Sequence, residues 1–324
     1  MQPNHSGPKK SIVAGVLALA ATLIAADVIA QDYPSKPIRF IVGPGPDSLP
    51  RVFGQKMTEA WGQPVIVEQK GGGGGTISAE TVAKAAPDGY TLLLMTGTHA
   101  INPSVYKTNY DMVRDFAPVT LLGSTPFVLA VHPSVPVKSV AELIKFAKEN
   151  PGKLNYGSGG SGTPPHLATE LFKQMAGVNM VHVPYKTIPA AITDLLAGQI
   201  QVMFTVGPAG LPHVKAGRIR GLAVSTIKRS AFAPDLPTVA ESGLPGFNVF
   251  GWNGVLVTAG TPRPVIEKLH SLFITAMKDP EVRTRMAGFG FEPIGNSPEE
   301  FGAFVKEDIA RWAKLVKETG AKVE

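Results

Sequence analysis

From Ile38 to Thr226 the chain alternates short runs rich in Val, Ile and Thr with amphipathic stretches, and the junctions between them carry Gly or Pro. Short β-branched runs suit strands, and apolar residues recurring every three to four positions suit helices. Repetition of strand and helix builds mostly parallel sheets covered by helices on both faces, so the pattern predicts an α/β protein. Strands are predicted over 38–43, 65–68, 91–95, 119–123, 127–132, 154–157, 180–183, 201–204 and 222–226. Helices are predicted over 47–60, 77–86, 140–150, 166–176, 190–197 and 208–216. After Gly260 the pattern changes to two long helices, 262–278 and 298–319, around one short strand near 291–294. Thr261 and Ser297 are the expected N-caps, each followed by Pro, with Glu300 at the capping-box position behind Ser297. A closing segment with one strand completes an existing sheet, so the chain is expected to return to its first domain.

At roughly 150 residues per domain, 324 residues make about two domains. The first thirty are set aside: Lys9 and Lys10 precede an apolar run from Ile12 to Ala26 that is short for a bilayer span, and small residues stand before Gln31. That is the layout of a secretory signal, with residues 1–30 removed on export. The absence of cysteine excludes disulfides, thiolate nucleophiles and Cys-held metals. The net charge of +6 comes from scattered residues such as Arg39, Lys84, Arg218 and Lys228, with no nucleic-acid motif. Nucleic acid is therefore not an expected partner. A mildly positive field favours small anions, although it also keeps a soluble protein dispersed.

The sharpest local signal is Tyr156-Gly157-Ser158-Gly159-Gly160-Ser161-Gly162-Thr163, between a strand and a helix. Gly157, Gly159 and Gly162 fit the dinucleotide fingerprint, but the next strand ends in Val183-Pro184-Tyr185 without an acidic residue for a ribose, and Pro164-Pro165 would crowd a pyrophosphate. Bare amides and hydroxyls at a helix start suit a carboxylate equally well. Two other strand ends carry similar segments: Gly43, Pro44, Gly45, Asp47 and Ser48 after the first strand, and Thr98 and His99 after the third. Loops at the carboxyl ends of parallel strands line the ligand crevice of open α/β sheets, and Asp47 is also placed to cap the following helix. The tract 71–75 is all glycine, either a flexible connection or a loop that lets its amides approach a ligand. Tyr185 and Trp252 are open to stacking or core roles, whereas Phe127 and Phe204 belong to apolar strands and are expected in the core. No hydrolase, metalloprotease or P-loop motif occurs, and His99, His132, His166, His182 and His213 are dispersed without carboxylates at motif spacing. No catalytic residue, metal or cofactor is expected.

Five stretches, Tyr33-Pro34-Ser35-Lys36-Pro37-Ile38-Arg39, Ala86-Pro87-Asp88-Gly89-Tyr90-Thr91-Leu92-Leu93, Thr98-His99-Ala100-Ile101-Asn102-Pro103, Val181-His182-Val183-Pro184-Tyr185-Lys186 and Asp235-Leu236-Pro237-Thr238-Val239-Ala240-Glu241, closely resemble the Bug-type solute receptors associated with tripartite tricarboxylate transporters. The resemblance runs through the whole chain after residue 30. It implies a periplasmic binding protein of the two-domain type II (Venus-flytrap) kind with a hinge, one domain combining 32–124 with 252–324 and the other holding 125–251. It further implies a monomer that grips a small organic carboxylate, dicarboxylate or aromatic, between the loop at 43–48 and the loop formed by Ser158, Gly159, Gly160, Ser161, Gly162 and Thr163, with Tyr185 beside them. Delivery to membrane permease subunits is the expected role. Presentation to a sensor kinase, or an enzyme using the same cleft, are the alternatives. Two departures stand out: Gly43-Pro44-Gly45-Pro46-Asp47 is shorter than the family's first loop, and Thr205 replaces the Asp of many members. Without that acid an amino-acid ligand loses the partner of its ammonium, which favours carboxylates that carry no cation.

Overall fold

The computed structural model describes residues 33–43 and 47–320. The expected signal segment, Pro44 and Gly45 lie outside the described residues. Strand β1 (Ile38–Val42) runs parallel between β2 (Val65–Gln69) and β3 (Thr91–Thr96), with Phe40 opposite Val67 on one side and Leu92 on the other. Ile38, Phe40, Ile41 and Val42 are all fully buried, the signature of a strand covered on both faces. The covering layers include α1 (Ser48–Trp61), α2 (Thr76–Ala83), α3 (Gly97–Val105) and, from the far end of the chain, α8 (Arg263–Ala276).

The sheet continues through two long strands. β9 (Phe250–Thr258) lies antiparallel to β3, and β4 (Phe116–Val131) lies antiparallel to β9. From Phe116 to Pro126 β4 pairs with β9; from Phe127 to Val131 it pairs with β7 (Val202–Val206) and, on the other side, β8 (Arg220–Val224). Beyond β7 follow β5 (Asn155–Ser158) and β6 (Val181–Pro184), both in parallel pairing. The helices of this second lobe are α4 (Val140–Glu149), α5 (Pro164–Ala176), α6 (Ile188–Leu196) and α7 (Gly207–Lys215). The chain then returns through β9 to the first lobe, where α9 (Pro280–Gly288), the short β10 (Glu292–Pro293) and α10 (Pro298–Thr319) complete it. Pairing is thus parallel on the flank of each lobe and antiparallel wherever β4 or β9 takes part.

Several elements differ from the sequence expectation. The two strands expected at 119–123 and 127–132 are one, because Pro126 stays extended and Ser225 Oγ accepts the next amide, Phe127 N–H, at 2.9 Å. Register shifts between Pro118 and Thr120 and between Leu121 and Gly123 mark bulges in the long strand. β9 and α3 were not expected: Gly251 and Gly254 interrupt one pattern and Pro103 the other. Ser297 and Glu300 do form the capping box, at 3.2 and 2.8 Å, but Pro262 occupies the N-cap of α8 while Thr261 Oγ1 donates to Thr258 O. One buried cluster runs from Ile41 and Leu93 through Phe127 and Leu129 to Phe172 and Phe204 and takes in Phe301 and Trp312 of α10, so both lobes share packed core. Among the described residues no helix is long and apolar enough to cross a membrane.

Candidate functional site

A cleft of about 450 Å³ lies between the lobes. Gly74, Thr98 and Tyr106 line it from the first lobe; residues 159–163 and Pro184, Tyr185 and Lys186 line it from the second. The lining follows the carboxyl ends of β3, β5 and β6, just where α3, α5 and α6 begin. Helix starts carry unpaired amides and the positive end of the helix dipole, so the cleft is built from three anion-favouring ends. A larger concavity of about 650 Å³ sits between α1 and α8 on the outside of the first lobe, edged by the Lys56–Asp279 ion pair, and no strand-end loop reaches it. Convergence of strand ends, rather than size, assigns the site to the cleft.

The Ser/Gly loop owes its shape to glycine and to its own hydrogen bonds. Gly160 and Gly162 take φ of 119° and 72°, left-handed values that a side chain would strain. Thr163 Oγ1 donates to Gly160 O at 2.7 Å, Gly160 N donates to Ser158 Oγ at 3.2 Å, and Gly162 N donates to His166 Nδ1 at 3.1 Å. Among the described residues, the hydroxyl and amide of Ser161 and the amide of Gly159 have no protein partner. These are the donors left for a ligand.

Beneath the loop, His166 and His182 stack at 4.1 Å and Tyr156 stacks on His182 at 4.8 Å. Burial pulls both imidazoles down to about 4, His182 further disfavoured by His166 beside it, so both are neutral at ordinary pH. Tyr156 donates to Glu170, which also accepts from Lys173 Nζ at 2.6 Å. His182 Nε2 lies 2.7 Å from Ser158 Oγ, the spacing of a nucleophile and base. Ser158 is nevertheless fully buried, its hydroxyl is also bonded within the loop, and Glu170 is bonded to Tyr156 and Lys173. The pair therefore forms the floor of the loop.

The first-lobe wall is held by another buried histidine. His99 Nδ1 accepts from Thr96 N at 3.1 Å, which closes the start of α3 and leaves Nε2–H to donate to Ser78 Oγ at 3.1 Å. Ser78 passes the chain on to Gly75 O at 2.7 Å, and Asn102 Nδ2 donates to Gly74 O at 3.1 Å. The glycine tract is thereby pinned, with Gly74 and Gly75 at φ of 61° and 98°. Full burial lowers His99 to about 4, so it works as a neutral linker.

Of the residues singled out in the sequence, the structure brings Thr98, Gly159, Gly160, Ser161, Gly162, Thr163 and Tyr185 to one cleft. Ser158 and His99 lie directly beneath, and Gly43 packs on His99, where an added methyl would fall 3.0 Å from Nε2. Asp47 and Ser48 stand at the start of α1, with Asp47 bonded to Arg51 at 2.9 Å rather than to a helix amide. Thr205 is buried between β7 and α7, where a methyl on Gly210 would meet its hydroxyl. Phe127, Phe204 and Trp252 are core residues, and the Tyr185 hydroxyl donates to Asp194 at 2.7 Å. Gly74 comes from the 71–75 tract read as either a connection or a ligand loop, and Tyr106, Pro184 and Lys186 join the lining without having been singled out as site residues. Lys186 brings the only charged side chain to the lining among the described residues.

Residues 49–321 match the family described as tripartite tricarboxylate transporter family receptor. Among solved structures, the chain is similar to the R. palustris protein Rpa4515 with adipate, at 37% identity and a TM-score of 0.80 over 90% of this chain and 99% of that one. It is similar to the periplasmic binding protein BugD at 34% and 0.77, covering 90% and 100%. It is also similar to MatC of Rhodopseudomonas palustris with bound malate, at 31% and 0.76 over 88% and 100%. The fold is that of a two-lobed periplasmic binding protein. This chain belongs to the tripartite tricarboxylate transporter receptors of the Bug type, a family of solute receptors.

Proposed function

We propose that the chain captures a small organic carboxylate in the interlobe cleft, closes its two lobes around it and delivers it to the permease of a tripartite transporter. The observation that carries this reading is the charge balance of the cleft: three helix starts and, among the described residues, the partnerless donors of Ser161 and Gly159 and Lys186 as the one charged side chain. A carboxylate completes such a set through charge-assisted hydrogen bonds, whereas a cation finds no partner there. That two similar proteins hold adipate and malate supports the same class of ligand. The ligand stays unchanged in this reading, since Ser158 and His182 are committed to the loop.

The lobes are read as 32–124 with 252–324 and as 125–251, supported by the change of partner along β4 at Pro126 and Phe127 and by the start of β9 at Phe250. Residues 1–30 are read as the export signal of a periplasmic monomer, so mass spectrometry of protein from the periplasm should find a chain starting near Gln31. Calorimetry with a panel of mono- and dicarboxylates, their methyl esters and amino acids tests the ligand class, and scattering with and without ligand tests closure. Binding of acids but not esters, with a smaller radius of gyration, is the expected result; conversion of a bound acid, or binding confined to esters, would refute it. Deleting the permease should abolish uptake. If uptake persisted while gene induction was lost on deleting a sensor kinase, the partner would be the sensor.

A further inference from the structure

Asp308 sits midway along α10, 3% exposed, and takes no part in the cleft. Its Oδ2 accepts from Trp252 Nε1 at 3.0 Å and Trp312 Nε1 at 2.9 Å, and its Oδ1 accepts from Arg311 Nη2 at 2.5 Å. Burying a carboxylate so deeply gains little for stability over an apolar side chain of similar size, so the arrangement calls for another explanation. The partners supply one. Trp252 lies on β9 opposite Ser124 of β4, where the two strands that join the lobes run side by side. The second Arg311 amine, Nη1, donates to Asn248 O at 2.7 Å in the segment that leads out of the second lobe. At the end of α10, Glu318 accepts from Gln174 of α5 at 2.9 Å.

Above the Trp252 indole the two lobes touch. A methyl on Gly97, the first residue of α3, would lie 3.5 Å from Trp252 Nε1 and 3.4 Å from Cγ of Pro164, the first residue of α5. The indole anchored by Asp308 thus supports the point where the two facing helix starts meet. Rotating the lobes about β4 and β9 moves Asn248 and α5 against α10, across the bonds made by Arg311 and Gln174, while the Asp308 to Trp252 bond stays with the first lobe.

We propose that Asp308 is a positioning residue, a clasp through which α10 sets the angle between the lobes and so the ligand affinity of the cleft. This rests on reading the cleft as a receptor site that closes. The test compares full-length wild type, Asp308→Asn and Arg311→Met, with adipate and malate as probes. Asp308→Asn removes the charge that Arg311 pairs with while keeping an oxygen for the two indoles, which already share Oδ2; Arg311→Met cuts the link to Asn248 at a side chain that is 38% exposed. Both variants should melt cooperatively and show a larger radius of gyration without probe. Affinity for every probe that wild type binds should fall about tenfold by the same factor, which leaves the preference between probes unchanged.

Folded variants with wild-type radius and affinity would overturn the clasp, as would an altered preference between probes, which would mark direct recognition instead. Should Asp308→Asn not fold, Arg311→Met decides by the same criteria. If wild type bound neither probe while the variants still expanded, adipate and malate would be excluded as ligands and the hold of the clasp on the lobe angle would stand. If wild type bound and closed but the variants matched it, the clasp alone would fall.

Discussion

Ser161 carries two donors into the cleft that nothing in the described protein accepts, and a single hydroxyl to a charged acceptor is worth about 1.5–3 kcal/mol. Ser161→Ala should therefore weaken carboxylate binding by roughly tenfold or more by calorimetry, while the melting temperature stays unchanged because no protein partner is lost. Gly162→Ala acts differently. At φ of 72° a Cβ costs about 1–2 kcal/mol, and the amide that bonds His166 is displaced with it, so both stability and affinity should drop. The glycine and hydroxyl run was legible in the sequence because left-handed backbone at a helix start restricts residue choice so strongly. Tyr106 was not legible: it follows the end of α3, a helix hidden by Gly97 and Pro103. Lys186 stood in a recognised motif, but an exposed lysine reads the same in any sequence until the fold brings it beside the opposite lobe.

At the scale of the element, caps and close approaches decide the outcome. The Ser297 capping box can be read directly, since both partners lie within four residues, and Ser297→Ala should cost about 1 kcal/mol. A thermal scan should find a fall of about 2 °C for a chain of this size. β9 could not be read, because its glycines are required by a partner more than forty residues away. A methyl on Gly254 would fall 2.1 Å from Phe301 Cζ, and one on Gly251 would fall 2.8 Å from Thr125 Cγ2. Gly254→Ala should therefore destabilise by about 1–3 kcal/mol through overpacking, despite the better strand propensity of alanine. The joining of two expected strands into β4 has the same character: Pro126 reads as a break, and only Ser225, distant in sequence, serves the amide that follows it.

For the whole molecule, His99, His166 and His182 are held neutral by burial, each lowered from 6.5 to about 4. The unfolded chain takes up these protons first, so the stability they contribute is complete above pH 6.5 and is lost as pH falls toward 4. Fully buried His99 can contribute up to about 3 kcal/mol to that loss, and the less deeply buried His166 and His182 contribute less. Chemical denaturation at pH 7, 5.5 and 4.5 should show a steady fall, and His166→Gln should flatten it. An unchanged midpoint across that range would refute the assignment.

Strand and helix periodicity, the Ser297 cap and the glycine turn before α5 depend on residues close together in the chain, and the amino-acid sequence alone determined them. Which strand ends share one cleft, why Gly254 and Gly251 bear no side chain, and how Asp308 finds the Trp252 indole of β9 were decided only by tertiary packing. The reason is steric and electrostatic: these constraints act between atoms brought together by folding, so neither partner carries a local mark of the other.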